Sequence, residues 1–283
     1  MLVVHTISEA RSAAAEFKSA GHRIGFIPTM GFLHEGHLSL VRASIRATER
    51  SVVSIFVNPA QFAPHEDFDQ YPRDYDRDLS LLEKEGVHLV FMPEISEIYP
   101  EEYRTFVEVH ELQEKLEGIS RPHFFRGVCT VVLKLLNIIS PDVAYFGQKD
   151  MQQAAIIRRM VRDLDLDVAV EIGPIVRDID GLALSSRNIY LDPDQRSSAL
   201  CLSRSLQEAE RMISEGERDA EKVIGRMAEI INLVADAKID YIAIVHPDTL
   251  EPLAEIKDGA SIALAVYIGK VRLIDNAIIC LKE

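Results

Sequence analysis

Over its first two thirds the chain repeats one pattern, a short apolar run followed by turn residues and then a helical spacing. The runs fall at Ile24 to Ile27, Val52 to Val57, Val87 to Met92, Val143 to Phe146 and Val168 to Ile172. Between them lie helical patterns from about His37 to Thr48, Asp74 to Glu85, Gly127 to Ile139 and Asp150 to Leu164. Runs so uniformly apolar read as strands covered on both faces, and strand-helix alternation is the signature of a parallel sheet. An earlier helix is expected from Thr6, where Thr6 and Glu9 have capping-box spacing, to Gly21. After Gly173-Pro174 the rhythm changes to two long helical stretches, Pro193 to Glu215 and Asp219 to Ala235. The β-rich segments Ile239 to Val245, Ser261 to Ile268 and Val271 to Ile279 follow, with Gly269-Lys270 as a hairpin turn.

At 283 residues the chain has length for two domains of the usual ~150, each able to bury a core without disulfides. The expected fold class is α/β, with a Rossmann-like parallel-sheet N-terminal domain over residues 1–175 and a smaller α+β C-terminal domain over 176–283. The formal charge of −14 repels polyanions, which argues against nucleic acid or an acidic membrane as partner. It leaves room for a small anionic substrate met by a few basic groups. The N-terminus reaches Glu9 and Arg11 without a basic region or an apolar stretch of signal type. The most apolar segment, Val128 to Ile139, is broken by Lys134 and is shorter than the ~20 residues of a spanning helix. A soluble, cytoplasmic protein is expected, with Cys129, Cys201 and Cys280 as buried free thiols.

The most informative segment is Ile27-Pro28-Thr29-Met30-Gly31-Phe32-Leu33-His34-Glu35-Gly36-His37-Leu38, a strand running through a glycine-bearing loop into a helix start. Parallel α/β folds bind anionic ligands at that point, beyond the carboxyl end of a strand. Gly31 and Gly36 permit close backbone approach, and both imidazoles can donate to phosphate oxygens beside the helix N-terminus. Histidines at i and i+3 do not fit the zinc-protease motif, which needs i and i+4. Taken alone, such a pair is as readily an ordinary polar helix start.

The H-x-G-H pattern resembles the nucleotidyltransferase superfamily that includes the class I aminoacyl-tRNA synthetases. Three further segments narrow the likeness: Phe56-Val57-Asn58-Pro59-Ala60-Gln61-Phe62, Phe146-Gly147-Gln148-Lys149-Asp150-Met151-Gln152-Gln153 and Gly181-Leu182-Ala183-Leu184-Ser185-Ser186-Arg187-Asn188. In this order and spacing they resemble the pantothenate synthetase, or pantoate:beta-alanine ligase, family over essentially the whole chain. The resemblance implies that ATP and pantoate form pantoyl adenylate and pyrophosphate, and that beta-alanine then displaces AMP to give pantothenate. Such an enzyme belongs to vitamin B5 and coenzyme A biosynthesis.

The resemblance also assigns roles. His34, His37, Lys149 and Arg187 are the expected catalytic groups. Met30, Gly31, Phe32, Leu33, His34, Glu35, Gly36 and His37 form the first part of the expected ATP site. Gly147, Gln148, Lys149, Asp150, Val176, Leu184, Ser185, Ser186 and Arg187 form the second. Lysine offers phosphate a compact charge, arginine a fork and serine a small donor. Gln61 and Gln153, with Asn58 as helper, are the expected pantoate ligands, and Gln61 also serves beta-alanine. As isolated residues these would read as surface charges and loop caps.

Two departures from the family pattern stand out. Leu184 occupies a position where relatives commonly carry Met, a swap of similar volume. The histidine of Arg121-Pro122-His123-Phe124-Phe125-Arg126 is displaced by one residue, so no role is assigned to His123, while Arg121 and Arg126 remain candidates for triphosphate or lid contacts. Magnesium is implied because ATP binds as its magnesium complex, which keeps several waters. Its protein ligands are not fixed; Asp74, Asp76 and Asp78 equally suit a solvated helix start. The resemblance further suggests a homodimer through the N-terminal domain. A C-terminal lid carrying the Ser-Ser-Arg loop is expected, with Gly173-Pro174 and Gly181 as hinge points; the alternative is a rigid interface with no closure. The competing readings are a nucleotidylyltransferase acting on a phosphorylated substrate and a catalytically silent nucleotide-binding protein. The amide set Asn58, Gln61 and Gln153 speaks against the former, whose second substrate calls for another basic cluster.

Overall fold

A computed structural model describes residues 1–64 and 66–281. The chain divides into two compact units, the first comprising Met1–Gln148 and Gln152–Pro174, the second Lys149–Met151 and the chain from Ile175 onward. The first unit runs β1 (Leu2–Val4), α1 (Ile7–Ser19), β2 (Ile24–Thr29), α2 (Glu35–Ala47), β3 (Arg50–Ile55), α3 (Tyr75–Glu85) and β4 (Leu89–Phe91). Two single turns, α4 (Ile95–Ile98) and α5 (Glu117–Ser120), precede α6 (Phe124–Ile139), β5 (Val143–Gly147), α7 (Met151–Asp163) and β6 (Ala169–Gly173).

Its strands form a six-stranded sheet in the order β1-β4-β3-β2-β5-β6, and every ladder is parallel. The apolar runs of β2, β3 and β4 are buried on both faces because helices cover both, which is why their sequence does not alternate. Ile27, Leu33, Val41, Val53, Leu82 and Val90 belong to one core cluster. From β2 the chain steps to β3 and then β4 on one side, whereas β5 and β6 lie on the other, so the order reverses between β2 and β5. Those two strands pair only at Gly25–Val143 and Phe26–Ala144. Pro28, which has no N–H to give a ladder, lies beyond the last of these pairs. Parallel α/β folds bind ligands beyond the carboxyl ends at such a reversal.

The second unit contains α8 (Pro193–Ser214), α9 (Ala220–Asn232), β7 (Ala237–Val245), β8 (Ser261–Ile268) and β9 (Val271–Ile278). The strands form an antiparallel sheet, β7-β8-β9, with the β8-β9 turn at Gly269-Lys270. Leu202, Leu206, Val223, Met227, Ile262 and Leu264 belong to its own core. Among the described residues, no helix is long and apolar enough to cross a membrane.

Three sequence expectations are corrected here. Helix α2 begins at Glu35 with His34 as its cap, not at His37. Cys129 and Cys201 are buried, and burial pushes their thiols up to about 12 and about 11, but Cys280, at the end of the last apolar run, is exposed. Gly181 is not a hinge between units: it closes the tight turn from Asp178 inside the second unit, at φ +94°.

Candidate active site

In the first unit, the loop from Thr29 to His34 leaves the carboxyl end of β2 at the point where strand order reverses. Gly31 (φ +82°) and Phe32 (φ +49°) both take the left-handed conformation, and together they fold the chain back toward α3. There the backbone N–H groups of Phe32 and Leu33 donate to Oδ2 and Oδ1 of Asp78 at 2.6 and 2.8 Å. The carboxylate is fully buried, and the Arg77 guanidinium lies 3.5 Å from Oδ1. Burial raises the Asp78 carboxyl above its ordinary range, against the pull of the two N–H donors and Arg77. Asp78 is therefore not part of a solvated helix start. The signal for this lay in its position four residues before the buried Leu82, on the apolar face of α3. Asp74 and Asp76 do stand at a solvated helix start: both are exposed, Asp76 in the first turn of α3 and Asp74 as its cap through the Arg77 N–H.

The histidines form an unusual capping box. The N–H of Gly36 donates to Nδ1 of His34 at 3.2 Å, and the N–H of His34 donates to Nδ1 of His37 at 3.3 Å. The rings sit 4.1 Å apart between centroids. A neutral imidazole that accepts at Nδ1 carries its proton at Nε2, so each ring presents Nε2 as the donor. Glycine at position 36 follows from this packing, since a Cβ there would lie 2.9 Å from Cε1 and Nδ1 of the His34 ring. The helix N-terminus is consequently less open to an anion than its sequence suggests: the N–H groups of Phe32, Leu33, Gly36 and His37 all have intramolecular acceptors. The Glu35 carboxylate is held by Arg42, which also binds Glu85 at 2.6 Å.

Beyond β3, Asn58 is buried and donates to Oε1 of Gln61 at 2.9 Å and to the Gly127 carbonyl at 3.0 Å. Its own Oδ1 accepts from Ala60 N–H, so the amide's orientation is set by three partners, and with it that of Gln61. Arg121, a candidate phosphate contact, is instead bidentate to Glu66 at 2.8 and 2.6 Å, donates to the Gln61 carbonyl and stacks on Phe124. Arg126 lies over the Phe106 ring, 3.9 Å from Glu108.

The segment after β5 separates two adjacent glutamines that look equivalent in sequence. Gln152 is buried and donates to the carbonyls of Leu112 and Lys115 while accepting from Glu117 N–H. Gln153 is half-buried, and among the described residues its amide has no hydrogen-bond partner. Gln152 is thus a brace for the 112–117 segment that the motif did not reveal, whereas Gln153 takes no part in that bracing.

In the second unit, Lys149 Nζ lies 3.8 Å from Asp150, and its carbonyl accepts from Asn276. Val176 and Leu184 are joined by a backbone hydrogen bond, and Arg177 bridges to Ala183, which forms a short hairpin ahead of Ser185. Arg177 is bidentate to the buried Asp275 at 2.6 and 3.0 Å and also donates to the Gly181 carbonyl. Ser185 caps the turn that follows by accepting from the Arg187 N–H, and Ser186 is buried. The Ser-Ser-Arg segment is thereby built on a braced hairpin. Among the described residues no group of three or more His, Cys, Asp or Glu side chains is arranged to hold a metal ion.

The profile of the Pantoate-beta-alanine ligase family matches residues 2–278. The chain belongs to that family. A pantothenate synthetase from Thermoanaerobacter sp. (strain X514) is 55% identical over 276 residues, 98% of either chain. The crystal structure of the Thermus thermophilus pantothenate synthetase superposes with a TM-score of 0.94 at 43% identity, covering 99% of this chain and 100% of that one. A Francisella tularensis pantoate-beta-alanine ligase, solved in complex with beta-gamma ATP and beta-alanine, has a TM-score of 0.81 at 34% identity, covering 98% and 97%.

Proposed function

We propose that this chain condenses pantoate with beta-alanine at the expense of ATP, giving pantothenate, AMP and pyrophosphate through pantoyl adenylate. The observation that carries the reading is the full-length family match together with the H-x-G-H loop at the strand-order reversal.

Pantoate's carboxylate is ionised at neutral pH, so its attack on the α-phosphorus needs no general base. The new bond runs from a carboxylate oxygen to phosphorus, the bond to the bridging oxygen breaks, and pyrophosphate leaves. Placement and charge neutralisation are what the protein must supply. His34 and His37 donate from Nε2 to the phosphates, and these bonds strengthen as charge moves onto the leaving group. Lys149, Ser185, Ser186 and Arg187 meet the pyrophosphate portion. Met30, Gly147, Gln148, Asp150, Val176 and Leu184 surround the nucleoside. Phe32 and Leu33 contribute through groups other than their N–H, and Glu35 through its backbone. Gln61, oriented by Asn58, and Gln153 bind pantoate, and Gln61 also receives beta-alanine. In the second step the amine nitrogen attacks the acyl carbon, AMP leaves and the nitrogen loses a proton.

Magnesium enters as part of the substrate, bound chiefly by phosphate oxygens and water. We further propose that the second unit serves as a lid that keeps water from the acyl phosphate. A cytoplasmic location and a homodimer through the first unit complete the reading; light scattering should find particles of twice the 31.8 kDa chain mass. The test of function is release of AMP and pyrophosphate with pantoate, measured with and without beta-alanine. Release independent of pantoate would refute it.

A further inference from the structure

We propose that Asp78 is a positioning residue for adenylation: by accepting the backbone N–H groups of Phe32 and Leu33, its carboxylate sets the loop that presents His34 and His37. The inference rests on the reading of this loop as the nucleotide site. Its geometry is specific. Both oxygens are used, one for each N–H, at 2.6 and 2.8 Å. Asparagine could not replace the pair, because its amide nitrogen would face an N–H. Phe32 is held at φ +49°, a conformation that a residue with a side chain keeps only where its surroundings impose it. Arg77 secures the same turn from the other side, 3.5 Å from the carboxylate and 5.4 Å above the Phe32 ring. A Cβ at position 31 would lie 3.1 Å from Asp78 Oδ2, so the glycine and the carboxylate fit one another. Burial of the carboxylate is unfavourable in itself, as its raised pKa reflects, and its return is a loop of fixed path immediately before the two imidazoles.

The test compares Asp78→Asn with Asp74→Ala, which removes the cap of α3 and leaves the loop bonds in place. Thermal midpoints are recorded, and pantoyl adenylate formation is followed by rapid quench at varied MgATP and pantoate. Displacing a reacting group by an ångström costs about 10²-fold, so Asp78→Asn should lose about that factor in the adenylation rate. Its KM for pantoate and the thermal midpoint should match those of Asp74→Ala, which itself adenylates at nearly the wild-type rate. Equal loss in both variants, or adenylation by Asp78→Asn near the wild-type rate, overturns the proposal. Should Asp78→Asn not fold, amide exchange of the wild-type 31–34 segment decides: protection supports the pinned loop, and exchange at open-loop rates overturns it. Wild-type protein that forms no pantoyl adenylate contradicts the proposed reaction, and the exchange of that segment then still reports on the loop.

Discussion

His34 and His37 cap one another's turn: the His34 N–H donates to His37 Nδ1, and the His37 N–H donates to the His34 carbonyl at 2.8 Å. Each histidine therefore has a part in the helix start, to which the proposed reaction adds a second at Nε2, and the two can be separated. In His34→Asn the side chain still caps α2, since asparagine is among the best caps. Stability should hold, while adenylation falls by the roughly 2.7 to 4 kcal/mol typical of losing one transition-state donor. His34→Ala should show the same kinetic loss and an added ~1 kcal/mol of destabilisation. Pyrophosphate release and denaturant unfolding on the two variants check this.

Gly36→Ala sets stability against activity. Alanine favours the helix by up to about 1 kcal/mol over glycine, but its Cβ must displace the His34 ring from 2.9 Å contact. The expected variant melts no lower than wild type and adenylates markedly more slowly. A variant with undiminished adenylation would show that the ring's place over position 36 is unimportant.

Much of this was legible beforehand, and the gaps have physical causes. The strand Ser261–Ile268 and the capped helix starts at Thr6 and Asp219 stand where periodicity and capping residues put them. The strand Leu2–Val4 has only three residues, too few to show a period. The sequence puts the start of α2 too late because histidine is not among the usual caps, and only the folded ring geometry reveals that His34 serves as one. The sequence leaves Asp78 open between a cation ligand and a solvated helix start, because acidic residues are commonplace in a first helical turn and the backbone N–H groups that meet it come from a loop more than forty residues away. The resemblance singles out Gln153, but the bracing role of its neighbour Gln152 depends on the distant 112–117 segment, which no local spacing shows.

That difference gives a paired prediction. Gln152→Ala leaves the Leu112 and Lys115 carbonyls and the Glu117 N–H without their partner and should destabilise by at least about 1 to 3 kcal/mol. Gln153→Ala should change stability by no more than about 0.5 kcal/mol and raise the KM for pantoate. Chemical denaturation and pantoate titrations of both variants check the pair.

Asp78 also predicts a sign for pH. Its pKa in the folded protein lies above the free value of 3.8, with Arg77 opposing the rise and Asp74 adding to it. The folded state thus holds this proton more tightly than the unfolded chain. The stability it contributes is greatest below the free value and is lost as pH rises through the raised one. Relative to Asp78→Asn, wild-type stability should decline as pH rises from about 4, and a widening advantage for wild type would contradict the assignment.

Rapid-quench analysis with MgATP and pantoate, in the absence of beta-alanine, tests the central claim most directly. The account predicts a burst of about one enzyme-bound pantoyl adenylate and one pyrophosphate per active site, slow turnover afterwards, and prompt release of AMP and pantothenate when beta-alanine is added. Arg187→Ala should slow the burst more than the later aminolysis, because pyrophosphate charge is present only in the first step. Amide formed with no bound adenylate, or an Arg187→Ala enzyme impaired only in attack by the amine, would contradict it.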